Sequence, residues 1–369
     1  MKLEGLTVVD LSVFLPGPYL TTALADHGAR VIKVEPPGGD PGRAIGVADG
    51  PSTVFFRNVN RGKESVIIDL KTAEGRQRLL KLCETADVFV ESYRPGVMQR
   101  LGVDYATVAQ VNPRIVYCSI SAFGQDGPYR LRPAHDLATM ALAGALSITL
   151  GRDGAPAIPG IAVADIVSAL QALSGVLMAL YRREKTGRGD CIDVAMHHAA
   201  LAALPNVLGP AMARTPLPDP KHERSTGGAA LYRIYETADG RHLVLGAQEI
   251  KFARALLERL GRPDLVPLCE KGPGPHQGPV VEFLRAVFRD RPLAHWQSWF
   301  EGMDVSFAPV NTLREALDDP HLRARGVVLE DERGREHIAP VVRFLHEPAQ
   351  PMLREPMLGE HNSGSRNGE

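Results

Sequence analysis

Thr7-Val8-Val9-Asp10-Leu11, then Pro16-Gly17-Pro18 and Leu24-Ala25-Asp26, then Arg30-Val31-Ile32-Lys33-Val34-Glu35, is the stretch that decides the fold. The first short apolar run reads as a strand. The prolines then open a helix through Leu24-Ala25-Asp26, because proline suits the first helical turn. The second apolar run reads as another strand. The same alternation continues with a strand over Glu64–Leu70, a helix with a leucine-rich face over Ala73–Thr85, and strands over Asp87–Glu91 and Ile115–Ile120. Strands separated by helices predict a parallel sheet covered by helices on both faces, the α/β class. Ligands of such sheets bind beyond the carboxyl ends of the strands.

Further along, helices are expected over Asp136–Ile148 and Asp165–Thr186. The second stops at Lys185-Thr186-Gly187-Arg188-Gly189, a basic and glycine-rich ending. Asp190–Met196 reads as a strand, followed by a helix and a proline-rich connector, Thr215-Pro216-Leu217-Pro218-Asp219-Pro220. The texture changes near Gly227. Leu231–Thr237 and His242–Gly246 flank Ala238-Asp239-Gly240-Arg241, a hairpin pattern. Helices over Glu249–Leu260, Val280–Arg289 and Leu293–Phe300 complete a second, smaller α+β domain. From about Pro340 the chain is proline-rich and irregular, and Asn362 to Glu369 are expected to be disordered.

The chain has 369 residues, more than one typical core holds, so two domains are expected. Its 42 basic and 43 acidic residues leave a formal charge of −1, so no global field draws in nucleic acid or an anionic membrane. An anionic ligand must be held by local groups. The four cysteines, Cys83, Cys118, Cys191 and Cys269, form no C-x-x-C pair and fit core positions in a reducing cytoplasm. Glu4 and Asp10 interrupt the first apolar run, so it is not a signal peptide. The stretch from Val163 to Tyr181 has the length of a membrane helix but carries Asp165, Ser168, Gln171 and Ser174, and reads as a buried helix of a soluble protein.

Three ionisable residues stand in apolar surroundings. His135 lies where a polar loop enters an apolar helix. Asp165 lies in Ile161-Ala162-Val163-Ala164-Asp165-Ile166-Val167, and Glu249 follows Leu243-Val244-Leu245-Gly246-Ala247. A buried charge must find a partner or shift its pKa, and groups of that kind are poised for proton transfer or nucleophilic attack. A buried structural hydrogen-bond network is the alternative for each. Two loops, Asn60-Arg61-Gly62-Lys63 and Glu91-Ser92-Tyr93-Arg94-Pro95-Gly96, put cations at strand ends, where they either hold phosphates or are solvated. The first strand is followed by Ser12-Val13-Phe14-Leu15-Pro16-Gly17, so neither G-x-G-x-x-G nor a phosphate-binding P-loop is present. NAD and ATP enzymes are therefore disfavoured. His135 has no second histidine at helical spacing, so no metal pair is expected.

Taken together these segments resemble the class III CoA-transferase (CaiB/BaiF) family. The ordered set runs from Val9-Asp10-Leu11-Ser12 and Gly28-Ala29-Arg30-Val31-Ile32-Lys33-Val34-Glu35 through Asn60-Arg61-Gly62-Lys63 and Asp69-Leu70-Lys71. It continues to Tyr93-Arg94-Pro95-Gly96-Val97 and Gly124-Gln125-Asp126-Gly127-Pro128. Within the family, His135-Asp136 and Gly246-Ala247-Gln248-Glu249 are most similar to the α-methylacyl-CoA racemase branch. Ala134 stands where that branch usually has glycine, Ile250 where it usually has proline, and Pro36 at the place of an arginine.

The resemblance implies an interlocked homodimer with a Rossmann-like large domain at 1–200, a linker at 201–227, a small α+β domain at 228–330 and an arm returning to the large domain at 331–369. It implies His135 and Asp165 as bases on the two faces of a thioester α-carbon, with Glu249 of the other chain orienting the imidazole. It implies contacts with coenzyme A by Lys63, Ile67, Ile68, Asp69, Leu70, Arg94, Ala134, Asp136, Leu137 and Ala138. Coenzyme A enters as part of the substrate, and no permanently bound cofactor, nucleic acid or membrane partner is expected. In the transferase reading, Asp165 is instead a nucleophile that becomes an acyl anhydride and then a thioester with CoA. A catalytically silent CoA-binding subunit is the third reading.

Overall fold

The computed structural model describes residues 1–362. Its central element is a six-stranded sheet of β1 (Thr7–Asp10), β2 (Arg30–Glu35), β3 (Glu64–Ile67), β4 (Val88–Glu91), β5 (Val116–Ser121) and β6 (Asp190–Ala195). The order across the sheet is β3-β2-β1-β4-β5-β6, and every pair is parallel. The chain runs outward from β1 to β3, then returns to the other side of β1 for β4. That reversal makes the gap between the ends of β1 and β4 the place where such sheets bind ligands. Val8, Val9, Ile32, Val88, Phe89 and Ile120 fill the core around the strands.

The helices that position the site are α1 (Pro16–Asp26), α2 (Ala73–Cys83), α3 (Asp136–Leu142) and α4 (Val163–Thr186). The sequence-predicted elements are present; Arg30–Glu35, His242–Gly246 and Leu293–Phe300 keep their expected ends, and others shift. The strand expected over Glu64–Leu70 stops at Ile67, and the helix expected over Asp136–Ile148 is two pieces, α3 and Ala145–Ile148. Gly144 lies between them at φ +81°, a conformation that breaks a helix and suits glycine. Helix α4 begins two residues before Asp165, which puts Asp165 in its first turn.

The expectation that α4 is a buried helix is corrected. Ala164, Ser168, Ala169, Ala172, Val176, Leu180 and Arg183 form its buried stripe, which recurs mostly every four residues. Leu170, Leu177, Met178 and Tyr181 are exposed on the rest of its surface. By length and composition this helix could cross a membrane. Arg183, buried and paired with Asp87 at 2.8 Å, ties it to the sheet instead.

Contacts divide the chain into two compact units. One holds residues 1–145, 158–203 and those from Pro320 onward, and the other holds Leu146–Ala157 and Leu204–Asp319. The expected boundaries at 200, 227 and 330 differ from these. Residues 146–157 and the proline-rich connector belong with the second unit, and 320–330 with the first.

The second unit is an antiparallel sheet of β7 (Tyr232–Glu236), β8 (His242–Gly246) and β9 (Phe307–Pro309), in the order β9-β8-β7. Its main helices are α5 (Ile250–Arg259), α6 (Gly278–Phe288) and α7 (Leu293–Phe300). Leu243, Leu245, Leu256, Leu284, Phe288 and Trp296 form its own core. The hairpin turn is the expected one, pairing Glu236 with His242.

The irregular segment beyond Pro340 ends on the edge strand β3. The N–H of Ser65 donates to His361 Nδ1 at 3.1 Å, the N–H of His361 to the Ser65 carbonyl at 2.9 Å, and the N–H of Ile67 to Asn362 Oδ1 at 2.7 Å. Asn362, expected to be disordered, is therefore anchored. Residues 363–369 lie outside the described residues.

Candidate active site

The loops at the carboxyl ends of β1 and β4 meet at the reversal point. The N–H of Val13 donates to Ser92 Oγ at 3.0 Å. Behind this junction is a buried ionic network. Asp10 ends β1 directly beside Lys33 of β2. Asp10 accepts from Lys63 Nζ at 3.0 Å, and from the hydroxyls of Ser12 and Thr21. Burial pushes the Asp10 carboxyl up, but Lys63, Lys33 and the two hydroxyls together hold it down to about 2. Burial outweighs Asp10's attraction at Lys63 and lowers that ammonium to about 8.

This corrects the expectation that Lys63 meets coenzyme A. Its side chain is fully buried, and its three donors go to Asp10, the Pro18 carbonyl and Asn60 Oδ1. Arg61 of the same loop is neither solvated nor turned to a phosphate, since it pairs with buried Asp26 at 2.6 Å. Ile67 is half-exposed, and parts of it and of Ile68 are otherwise engaged. The Ile68 side chain lies in the core. The Ile67 N–H is taken by Asn362, and its carbonyl by Arg78 at 3.1 Å. Asp69 and Leu70 remain half-exposed at the sheet's end.

Arg94 follows β4 and is exposed. It lines a cavity of about 510 Å³ with Glu91, Arg100, Tyr117, Gln125 and Arg130, among others. Glu91, at the floor, is pushed up to about 7 by burial, and further by Asp193, against hydrogen bonds from Ser119 and the Tyr93 N–H. Glu91 stands in Glu91-Ser92-Tyr93-Arg94-Pro95-Gly96 and Gln125 in Gly124-Gln125-Asp126-Gly127-Pro128, but nothing local in the sequence marks either as a site residue. The Gln125 N–H donates to Asp193 at 2.9 Å, which fastens the loop leading from β5 toward His135.

His135 is the N-cap residue of α3, in extended backbone, and its ring makes no capping hydrogen bond. It is exposed, as are Leu137 and Ala138, while Ala134 and Asp136 are half-buried. The Asp136 Oδ1 accepts the N–H of Asp165 at 3.1 Å, so the starts of α3 and α4 are joined. Burial, and then the neighbouring Asp136, push the Asp165 carboxyl up to about 7. A carboxyl with this value exchanges protons readily at neutral pH.

Glu249 lies in the other unit as the N-cap residue of α5, exposed and without a side-chain cap hydrogen bond. Among the described residues, no three of His, Cys, Asp and Glu gather as ligands for one metal ion.

A model of CoA-transferase family III matches residues 3–362. The chain is 32% identical to succinyl-CoA:glutarate CoA-transferase of Mus musculus, over 97% of this chain and 84% of that one. It is 34% identical to α-methylacyl-CoA racemase of Homo sapiens, over 98% and 91%. Acetyl-CoA:oxalate CoA-transferase of Acetobacter aceti is also 34% identical, over 89% and 85%. Among solved structures, a CAIB/BAIF family protein from Brucella suis superposes with a TM-score of 0.85 at 29% identity, covering 98% of this chain and 97% of that one.

Proposed function

The chain belongs to CoA-transferase family III, and from that premise we propose that it racemises the α-carbon of a 2-methylacyl-CoA thioester by a two-base mechanism. The observation that carries this reading is the junction of the two helix starts. His135 heads α3, Asp165 lies in the first turn of α4, and Asp136 ties them at 3.1 Å. Asp165, raised to about 7 by burial and then by Asp136, suits a proton carrier. A base and a nucleophile both act as the ionised carboxylate, so this value by itself favours neither role.

In this reading one base removes the α-proton from one face, and the other returns a proton to the opposite face. The thioester oxygen becomes an enolate between the two steps, and backbone N–H groups at the start of α3 supply hydrogen bonds to it. Arg94, Asp69, Leu70, Ala134, Asp136, Leu137 and Ala138 are the remaining proposed contacts for coenzyme A. Glu249 is assigned the task of fixing the imidazole tautomer, supplied by the second copy of a homodimer. The exposed apolar residues of α4, Leu170, Leu177, Met178 and Tyr181, support such a dimer. Sedimentation at low concentration tests it, and a stable, active monomer contradicts it.

The second reading is CoA transfer between an acyl-CoA and a free carboxylic acid. The names of the Mus musculus and Acetobacter aceti relatives favour it. Here the Asp165 carboxylate attacks the thioester carbonyl and releases CoA thiolate; that thiolate opens the anhydride at the aspartyl carbonyl, forming an aspartyl thioester and releasing the donor carboxylate. The acceptor carboxylate then attacks this thioester, and the thiolate it expels opens the second anhydride at the acceptor carbonyl, giving the new acyl-CoA and free Asp165. One experiment separates the two. The protein is incubated with a 2-methylacyl-CoA in deuterated water, without an acceptor acid. Deuterium at the α-carbon, with no hydroxamate at Asp165 when hydroxylamine is added, supports racemisation. A hydroxamate at Asp165 supports the transferase.

A further inference from the structure

Phe14 has φ +64°, one of two non-glycine residues with a left-handed backbone among those described. A bulky side chain in that region is held against its preference, and persists only where its surroundings over-determine it. The surroundings here do so from both sides. Ser12 donates both its N–H and its hydroxyl to Asp10, while Lys33 Nζ donates to the Ser12 carbonyl at 3.0 Å. Val13 is fixed to Ser92. On the far side α1 begins at Pro16, and its first backbone bond runs from the Tyr19 N–H to the Leu15 carbonyl at 2.9 Å. Gly17 closes over the loop so tightly that a Cβ there would lie 2.1 Å from the Cβ of Ser12.

Core packing does not account for this conformation, because Phe14 is 39% exposed. What the ring does touch is His135. The ring centroids are 6.2 Å apart and the planes stand at 85°, an edge-to-face contact. The His135 side chain makes no capping hydrogen bond with its helix. We propose that Phe14 is a positioning residue for His135, held in a strained backbone by the Asp10–Lys33 network so that its ring fixes the orientation of the imidazole. This deepens the two-base reading and rests on it only for the step that His135 performs.

The test uses Phe14→Leu, which keeps apolar bulk without a ring, Phe14→Gly, which removes the strain, and Phe14→Tyr, which keeps the ring. Two readouts are taken on the full chain. One is the His135 ring signal in selectively labelled protein, assigned with His135→Gln. The other is the turnover that the wild type supports, whether α-proton exchange or CoA transfer. Phe14→Leu and Phe14→Gly are expected to shift and broaden the His135 signal, and to lower kcat about tenfold to a hundredfold with little change in KM. Phe14→Tyr is expected to keep the wild-type signal and recover most of kcat. Phe14→Gly is expected to melt no lower than wild type, since glycine takes this φ freely. An unmoved His135 signal in Phe14→Leu overturns the proposal, as does equal damage by Phe14→Tyr. A shifted signal in a protein that exchanges no α-proton leaves the positioning role standing and removes the racemase reading alone.

Discussion

Asp136 and Asp165, 29 residues apart, share a hydrogen bond in which the side chain of one accepts the backbone N–H of the other at 3.1 Å. The bond sets two carboxylates side by side at the head of two helices. It anchors Asp165 in place, and it also makes ionisation of Asp165 harder, because the second charge must form near the first.

Asp136→Asn separates these two effects. The amide oxygen still accepts the Asp165 N–H, while the like charge is gone. The Asp165 value then falls below about 7, while burial, the larger cause, still holds it above the ordinary carboxyl range. The midpoint of the exchange rate against pH, read on kcat, is expected to move to lower pH, with the fold unchanged by circular dichroism. An unmoved midpoint in a folded variant would show that burial alone sets the Asp165 value.

His135→Ala and Asp165→Asn are each expected to lower kcat for α-proton exchange by about 10²–10⁴, the range for loss of a general acid or base. Thermal melting distinguishes lost chemistry from lost structure. Near-wild-type exchange by both variants would remove the two-base assignment.

Asp165→Asn also carries a stability signature. The folded chain keeps a proton on Asp165 up to about pH 7, while the unfolded chain releases it near 3.8. The folded state therefore binds the extra proton between these values. Its stability falls as pH rises through that window and levels off above it. The asparagine variant lacks this loss. Urea unfolding at pH 5 and pH 8 is expected to show the variant gaining on wild type by roughly 1–3 kcal/mol across the interval.

Lys63→Ala is expected to destabilise the chain by about 3–5 kcal/mol, because buried Asp10 loses its ion-pair partner and keeps only Lys33 and the Ser12 and Thr21 hydroxyls. Chemical denaturation measures this. If the main effect were instead a raised KM for the CoA thioester in a chain of normal stability, Lys63 would have to reach the ligand after all.

The parallel sheet is legible in the sequence because each strand is a short Val- and Ile-rich run between helical segments. His135 and Asp165 are legible as unusual polar residues in apolar contexts. Their linkage is not, since a side-chain bond across 29 residues leaves no local signature. Gly144 sits inside a continuous helical pattern, and only its positive φ shows that the helix breaks there. Lys63 reads as a loop cation because Asn60-Arg61-Gly62-Lys63 is a polar turn sequence. Its real partner, Asp10, comes from a strand 53 residues earlier. The strain at Phe14 is equally silent, because it comes from bonds made by Ser12 and Val13 to Lys33 on another strand and to Ser92 in another loop.

The segment that seals the edge strand has a consequence for how the chain comes into being. The outward N–H groups of Ser65 and Ile67 find their partners only in His361 and Asn362. A ribosome releases Glu64–Ile67 early and the sealing residues almost 300 positions later. At about 5–20 residues per second, that strand waits on the order of tens of seconds with an open ladder. During this interval it is a template for any passing extended chain, including another nascent copy. The edge strand is thus exposed to mispairing until His361 and Asn362 emerge, when the core residues described above have already been made.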